Sequence, residues 1–285
     1  MSPVPPLGLG LGWRGALALY IARRPELGFV EVLAEDLPAH GPLPEPVQEL
    51  VQRGCQFVVH GVSLSLGSAD GLDERALEHQ ARVAERVKAA LVSEHVCFVR
   101  AGGLESGHLL PVPRTEAALE VLTENVQRAQ KAFSVPLALE NIAALLEWPG
   151  AQLTEGAFLT RLLDATGAPL LLDASNLYAN ALNFNADAKA MLAALPLERT
   201  AYVHVAGGVL RDKLYHDTHA HPLTRGVLPL LEEVARRAPQ AGVMLERDGS
   251  FPPEAELDDE LRAIAKAAGK PVPLFEVKRG FQRAG

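Results

Sequence analysis

Seven side chains able to bind a metal or carry a proton stand at the ends of short apolar runs. They are Glu35 after FVEVLA, His60 after FVV, His95 after LVSE, Glu140 after LAL, Asp173 after LLL, His204 after YV and Glu246 after VML. One polar group at a strand end is ordinary; seven in series imply ends that converge on one place. A lone histidine reads more readily as structural, but three alternating with acids reverse that reading. Imidazole suits zinc, iron or manganese, whereas an all-oxygen set suits magnesium.

More candidates lie just past the runs. In YHDTHAHP (215–222) Asp217 and His219 are two apart and project to one side of an extended segment, which with their place beyond His204 favours them as ligands. His216 and His221 read as solvated loop residues. Asn176, three after Asp173, either offers its amide oxygen to a metal or caps the turn, and Asn141 beside Glu140 has the same two readings. Asp248, two past Glu246, is a candidate base or a turn residue with Gly249. Ser65 and Ser68 belong to no serine-nucleophile arrangement. Cys97 reads as a buried, inert thiol, and His40, His79 and His108 lack supporting partners.

Strands and helical patterns alternate along the whole chain. Strands are expected near 7–11, 28–34, 56–60, 91–95, 136–140, 169–173, 200–205 and 242–246, with helices near 14–23, 45–53, 73–90, 115–132, 155–166, 187–194, 226–237 and 255–268. The 73–90 stretch places Leu77, Ala81, Ala84 and Val87 on one face. Asp73, Thr115 and Thr154 stand at N-cap positions, and Gly167 with Pro169 ends the helix before it. About eight βα units in a chain of this length favour a (β/α)8 TIM barrel over a doubly wound sheet. GLGLG at 8–12 lacks the GxGxxG spacing of a dinucleotide site. We read residues 1–285 as a single barrel domain with 270–285 a basic surface tail.

Parity connects the elements to the chemistry. Side chains alternate along a strand, so Glu31, Leu33 and Glu35 share a face, as do Ala138 with Glu140, Tyr202 with His204 and Met244 with Glu246. If these faces point inward, four or five carboxylates crowd one mouth, and their mutual repulsion calls for bound cations.

Composition narrows the function. The 285 residues are 48% apolar with a net charge of −8, against a broad nucleic-acid surface. Two cysteines, Cys55 and Cys97, make neither a disulfide framework nor a CxxC motif, as expected of a reducing, cytoplasmic compartment. Residues 7–22 are interrupted by Arg14 and are read as neither signal peptide nor membrane span.

The segments HGVSLSLGSAD, LVSEHVCF, LLPVPRTEAAL, LALEN, LLLDASNLY, VHVAG, DTHAHP and LERD, in this order over residues 7–250, resemble the MbnB-like family of multinuclear non-haem iron enzymes, xylose-isomerase-like TIM barrels. The resemblance implies two or three metal ions at the barrel mouth, iron by preference, with manganese or zinc able to fill the same donors. It implies oxidative modification, often at cysteine, of a ribosomally made precursor peptide using dioxygen, commonly with a small partner protein. It carries the metal ligands over onto His60, His95, Glu140, Asp173, Asn176, His204, Asp217, His219 and Glu246, and a proton-transfer role onto Asp248. Departures are Asp36 for a usual Asn, Ser175 for the first Asn of the DxNN turn, Arg247 for a common aromatic and His108 for a common acid. They touch pocket walls rather than the metal set. The resemblance also demotes Glu35 from ligand to pocket acid. The alternatives on the same barrel are a metal-dependent sugar isomerase, for which no strand-end lysine is present, a phosphodiester hydrolase, and a non-catalytic metal-storage protein.

Overall fold

Eight of the apolar runs pair in parallel and close on themselves in a computed structural model that describes residues 4–272. They are β1 (Leu9–Gly12), β2 (Phe29–Leu33), β3 (Phe57–Gly61), β4 (Leu91–His95), β5 (Leu137–Glu140), β6 (Leu170–Asp173), β7 (Thr200–Val205) and β8 (Gly242–Leu245). Each strand neighbours the next in sequence, and β1 pairs with both β2 and β8. The expected barrel is therefore present. Most of the proposed tail, 273–285, lies outside the described residues.

Alternation sorts the strand residues into two cores. Leu9, Leu11, Val30, Val32, Val59, Leu139, Leu172, Val203 and Leu245 face outward into the large cluster under the helices. Phe29, Val58, Leu91, Ala138, Leu171, Tyr202 and Met244 form a separate cluster inside the barrel. Gly10 makes room there: a Cβ on it would lie 2.4 Å from the Phe29 ring. Phe29 meets Tyr202 edge to face, with centroids 5.8 Å apart. This apolar floor closes the bottom of the barrel.

The helices are α1 (Ala18–Ala22), α2 (Glu45–Gln52), α3 (Glu74–Val87), α4 (Glu116–Gln130), α5 (Glu155–Thr166), α6 (Ala174–Asn183), α7 (Ala188–Ala193), α8 (Leu228–Arg237) and α9 (Glu254–Ala267). The expected caps form. Asp73 accepts from the amides of Arg75 and Ala76, Thr115 from Ala118 and Thr154 from Ala157, while Gly167 ends α5 in the left-handed region. The buried face of α3 differs from expectation: Gln80 and Val83 lie inside with Leu77, Ala84 and Val87, and Ala81 is only half-buried. Gln80 is tolerated because its amide donates to the Ser93 carbonyl at 3.1 Å.

Three mouth-side elements were not expected. Hairpin Cys97–Ala101/Leu104–Pro111 turns at Gly102 and Gly103, and a shorter hairpin joins Val209–Arg211 to Leu214–His216. Helix α6 begins directly after Asp173, where a turn was expected.

Candidate metal centre

Two residues beyond each member of the apolar floor, the barrel interior turns polar. Phe29 is followed by Glu31, Val58 by His60, Leu91 by Ser93, Ala138 by Glu140, Leu171 by Asp173, Tyr202 by His204 and Met244 by Glu246, all buried. Parallel pairing brings this layer together across the barrel, with Asp173 opposite His204 and His95 opposite Glu140 in register. The loop after β7 adds Asp217 and His219 from above; the Asp217 carboxylate has no exposed surface.

The donors fall into overlapping triads, each with ligand atoms within 4.8 Å of one another: His60–His95–Glu140, Glu140–Asp173–His204, Asp173–His219–Glu246 and Glu31–His204–Glu246. Glu140 is shared between the first two. Its Oε2 lies 3.4 Å from His60 Nε2 and 3.3 Å from His95 Nε2, and its Oε1 lies 3.6 Å from His204 Nδ1. His219 reaches Glu246 at 3.1 Å, Asp217 at 3.5 Å and Asp173 at 3.6 Å.

Charge in this space is unbalanced without cations. Glu31, Glu140, Asp173, Asp217, Glu246 and Asp248 converge, and Arg14 brings a guanidinium to Asp248 and, at 3.4 Å, to Glu246. Histidines take up the remainder. Burial opposes the charge on His95, but Glu140 and Glu94 outweigh it and push its pKa up to about 9. The same contest, won by Glu31 and Glu246 at His204 and by Glu246 and Asp217 at His219, raises both well above the ordinary value. In return, and against their burial, Glu140 is drawn down to about 2 by His95, His204 and His60, and Glu246 is held well below the carboxylate range by His219 and His204. Burial and Asp217 push Asp173 well up.

The atoms facing the middle are those left without hydrogen-bond partners. Glu140 Oε2, Asp173 Oδ2, both oxygens of Asp217 and His204 Nδ1 are buried and make no hydrogen bond, facing only other donors of the centre across ion-pair distances. Buried polar atoms are otherwise almost always satisfied, so a cluster of orphans made only of oxygen and imidazole nitrogen fits bound divalent metals. Asp173 shows the division within one side chain: Oδ1 accepts from the amides of Ser175 and Asn176 as the N-cap of α6, leaving Oδ2 for the centre.

All ten residues to which the family resemblance gave a metal or proton role lie at this mouth. Asn176 sits in the first turn of α6, its Nδ2 donating to the Asn141 carbonyl at 3.0 Å. Asp248 stands at the rim with a partly exposed carboxylate, gripped by Arg14 and 3.5 Å from His219 Nδ1. Glu35, the first member of the series, is not part of the centre: β2 ends at Leu33, a 3-10 turn carries Glu35 outward, and it accepts from Val62 N and Ser63 Oγ. Asn141 clamps the Asp173 backbone through two hydrogen bonds of 2.9 Å, a structural role. Ser65 accepts from the amides of Val99 and Arg100, and Cys97 is buried with its thiol pKa raised, first by burial.

Sequence reasoning gave no site role to Glu31, Ser93, Tyr202 or Arg14, although the parity argument named Glu31 and Tyr202. For the first three a signal existed, since each shares strand parity with a recognised donor. Arg14 follows β1, and its guanidinium lies within van der Waals reach of Gly12. Arg247, also unassigned, is buried and pairs with both oxygens of Glu260 at 2.6 and 2.7 Å. Glu260 also accepts from the Leu223 amide, fastening the far end of the Asp217–His219 loop.

Comparison with known proteins gives a consistent picture. Residues 8–269 match the family described as RiPP precursor modification enzyme MbnB/TglH/ChrH. A UPF0276 protein of Streptomyces avermitilis is 51% identical over 272 residues, covering 93% of this chain but only 55% of that relative, so the chain spans about half its length. A UPF0276 protein of Caulobacter vibrioides is 36% identical, with 95% of both chains covered. Among solved structures, a D-psicose 3-epimerase aligns with a TM-score of 0.55 at 12% identity, covering 92% of this chain and 99% of that one. A xylose isomerase-like TIM barrel protein from Mycobacterium smegmatis in complex with magnesium aligns at 0.52 and 13%, covering 94% and 100%. At such identities these likenesses concern the fold.

Proposed function

This chain belongs to the MbnB/TglH/ChrH family of RiPP precursor modification enzymes, and from that premise we propose that it is a multinuclear iron-dependent oxidative enzyme that uses dioxygen to modify a ribosomally made precursor peptide, with cysteine the first residue to test. The observation that carries this reading is the set of overlapping triads with buried donor atoms that make no hydrogen bond. Shared donors such as Glu140 and Asp173 would let neighbouring metal ions serve one substrate. His60, His95 and Glu140 would hold one ion; Glu140, Asp173, His204 and Glu246 a second; and Asn176, Asp217 and His219, with Asp173, a third.

Bound iron supplies the redox chemistry, the dioxygen site and the affinity for a thiolate. The chain's own residues supply the rest. The apolar floor below the centre excludes water from beneath it, so reacting groups enter only from the mouth. Asp248 reaches solvent on one side and His219 on the other, and Arg14 fixes its orientation, so it is placed to take a proton from an arriving thiol. Beside the centre, a cavity of about 530 Å³ runs from Asn141 and Ile142 to Phe158, Leu177 and Met191, with room for a peptide side chain. Leu104 and Leu210 on the two hairpins, and Leu145, Leu146, Trp148 and Phe251 on loops, are exposed, in keeping with a peptide or small protein partner.

No helix among the described residues is long and apolar enough to cross a membrane. The sugar-epimerase neighbours share the barrel, and a barrel hosts many chemistries.

The test is to look beside the gene for a short reading frame that contains cysteine, purify the protein without oxygen, load it with iron, and add the peptide so encoded; the proposal expects such a frame to be found. Dioxygen consumption with a matching mass change in the peptide is expected. Turnover of ketoses by the same preparation, with the peptide untouched, would overturn the proposal.

A further inference from the structure

Beneath the donor layer runs an unbroken chain of buried hydrogen bonds. His60 Nδ1 lies 2.8 Å from Ser93 Oγ, Ser93 Oγ 2.7 Å from Tyr202 OH, Tyr202 OH 2.7 Å from Glu31 Oε2, and Glu31 Oε2 2.9 Å from His204 Nε2. Glu31, Ser93, Tyr202 and His204 have no solvent exposure, and His60 is 2% exposed. The chain begins and ends on histidines from different triads.

Its polarity follows from which nitrogens face the donor layer: with metals on His60 Nε2 and His204 Nδ1, the ring protons stay on His60 Nδ1 and His204 Nε2, so both Tyr202 OH and His204 Nε2–H donate to Glu31 Oε2. The Tyr202 oxygen then accepts from Ser93, and Ser93 accepts from His60 Nδ1–H. Every donor points toward Glu31. The consequence at the two ends is a choice of nitrogen: once metals displace the imidazolium protons, His60 would offer a lone pair on Nε2, which faces Glu140, and His204 one on Nδ1, which faces Glu140 and Glu246. His204 Nδ1 is among the buried atoms without a hydrogen-bond partner.

We propose that Glu31, through Tyr202 and Ser93, is a positioning anchor that fixes the tautomer and ring orientation of two metal-facing histidines at once. The anchor commits His60 to bind through Nε2 and His204 through Nδ1. Partners of this kind orient imidazole ligands generally, and their loss costs roughly 10–100-fold in metal affinity. Here one carboxylate serves two sites, the nearer directly and the farther through two hydroxyls. The inference rests on metals occupying the centre and is independent of which metal or reaction is native.

The test uses the full chain stripped of metal and titrated with cobalt(II) without oxygen, reading stoichiometry, affinity and visible absorption. Tyr202→Phe removes a single oxygen and Ser93→Ala a single hydroxyl. Each is expected to weaken one cobalt equivalent by about 10–100-fold and alter its absorption, while the others bind as before. The double variant should be no worse than either, because both cut the same chain. Glu31→Gln, which keeps the shape but can donate where only acceptance is allowed, should weaken two equivalents. Nitrogen-15 spectra of the zinc-loaded protein should show His60 protonated on Nδ1 in the wild type and lose that signature in Tyr202→Phe. Wild-type affinity and spectra in Tyr202→Phe and Ser93→Ala would overturn the proposal. So would complete loss of one equivalent in Glu31→Gln with the others intact, which would make Glu31 a ligand. If the wild type takes up no metal, the metal reading falls and the anchor with it. Peptide oxidation failing while these shifts appear would leave the anchor standing.

Discussion

Removing the metals should turn the protein into one that loses stability as pH rises from 6 to 9, whereas the loaded protein should not. In the metal-free centre the imidazoliums are the cations. His95 has its pKa raised from 6.5 to about 9, the carboxylates of Glu140 and Glu94 overcoming its burial. A raised histidine contributes stability that is complete below the unfolded value and lost as pH climbs through the folded one. The difference of about 2.5 units, at 1.36 kcal/mol per unit, is worth ~3 kcal/mol. His204 and His219 are raised as well and act in the same direction, and Asp173, holding its proton, does not oppose them. Glu140, drawn down to about 2, stays ionised across the window and contributes nothing to the slope. At roughly 2.1 cal/mol/K per residue the unfolding entropy is ~0.6 kcal/mol/K, so ~3 kcal/mol corresponds to a fall in Tm of about 5 °C. Metals replace those protons, so the loaded protein should hold its Tm over the same range. The assay is a pair of thermal melts at pH 6, 7, 8 and 9, one after chelation and one after reloading. A flat metal-free profile, or two profiles falling in parallel, would refute the view that protons and metals compete for this centre.

Other outcomes follow from individual contacts. Glu140→Ala should remove the metals of both triads that share it, seen as a drop of two equivalents or more by elemental analysis. Gly207→Ala should selectively weaken the metal held by Asp217 and His219, because its Cβ would lie 2.0 Å from the Pro222 carbonyl and 2.4 Å from that of His221, pushing the loop outward. Glu260→Ala should destabilise the fold by about 3 kcal/mol in denaturant melts, since it leaves the buried Arg247 uncompensated. Asp248→Asn should keep the metal content but slow turnover on the order of 100-fold, with metal analysis and peptide mass spectrometry as the two readouts.

What was legible in the sequence follows from what strands and sites must be. The barrel strands announced themselves because burial on both faces makes each a short apolar run closed by a polar residue. Helices with N-caps at Asp73, Thr115 and Thr154 were legible for the same local reason. Helix α6 was not: Asp173 reads as the end of a strand, and nothing local says that its second oxygen also starts a helix. The hairpins were hidden because LESGHLLP is polar and exposed over most of its length and shows no amphipathic alternation. Within the centre, attention to the ends of runs selected Glu35 and passed over Glu31. Parity decides the matter, since the inward layer lies two residues past Phe29, while β2 has already ended before Glu35. Arg14 carries no periodic signal and becomes visible only when β1 and β8 are seen to be neighbours.

The divided use of Asp173 has a mechanical side. One oxygen faces the other donors and the other holds the first turn of α6, whose Asn180 in turn grips the Ala144 amide and the Ile142 carbonyl at 2.7 and 2.9 Å. Ile142, Ala144, Leu177 and Asn180 are all walls of the cavity beside the mouth. A shift of this carboxylate would therefore pull on a helix and on the loop tied to it, so that the arrangement of the donor layer and the shape of the neighbouring cavity share a single lever.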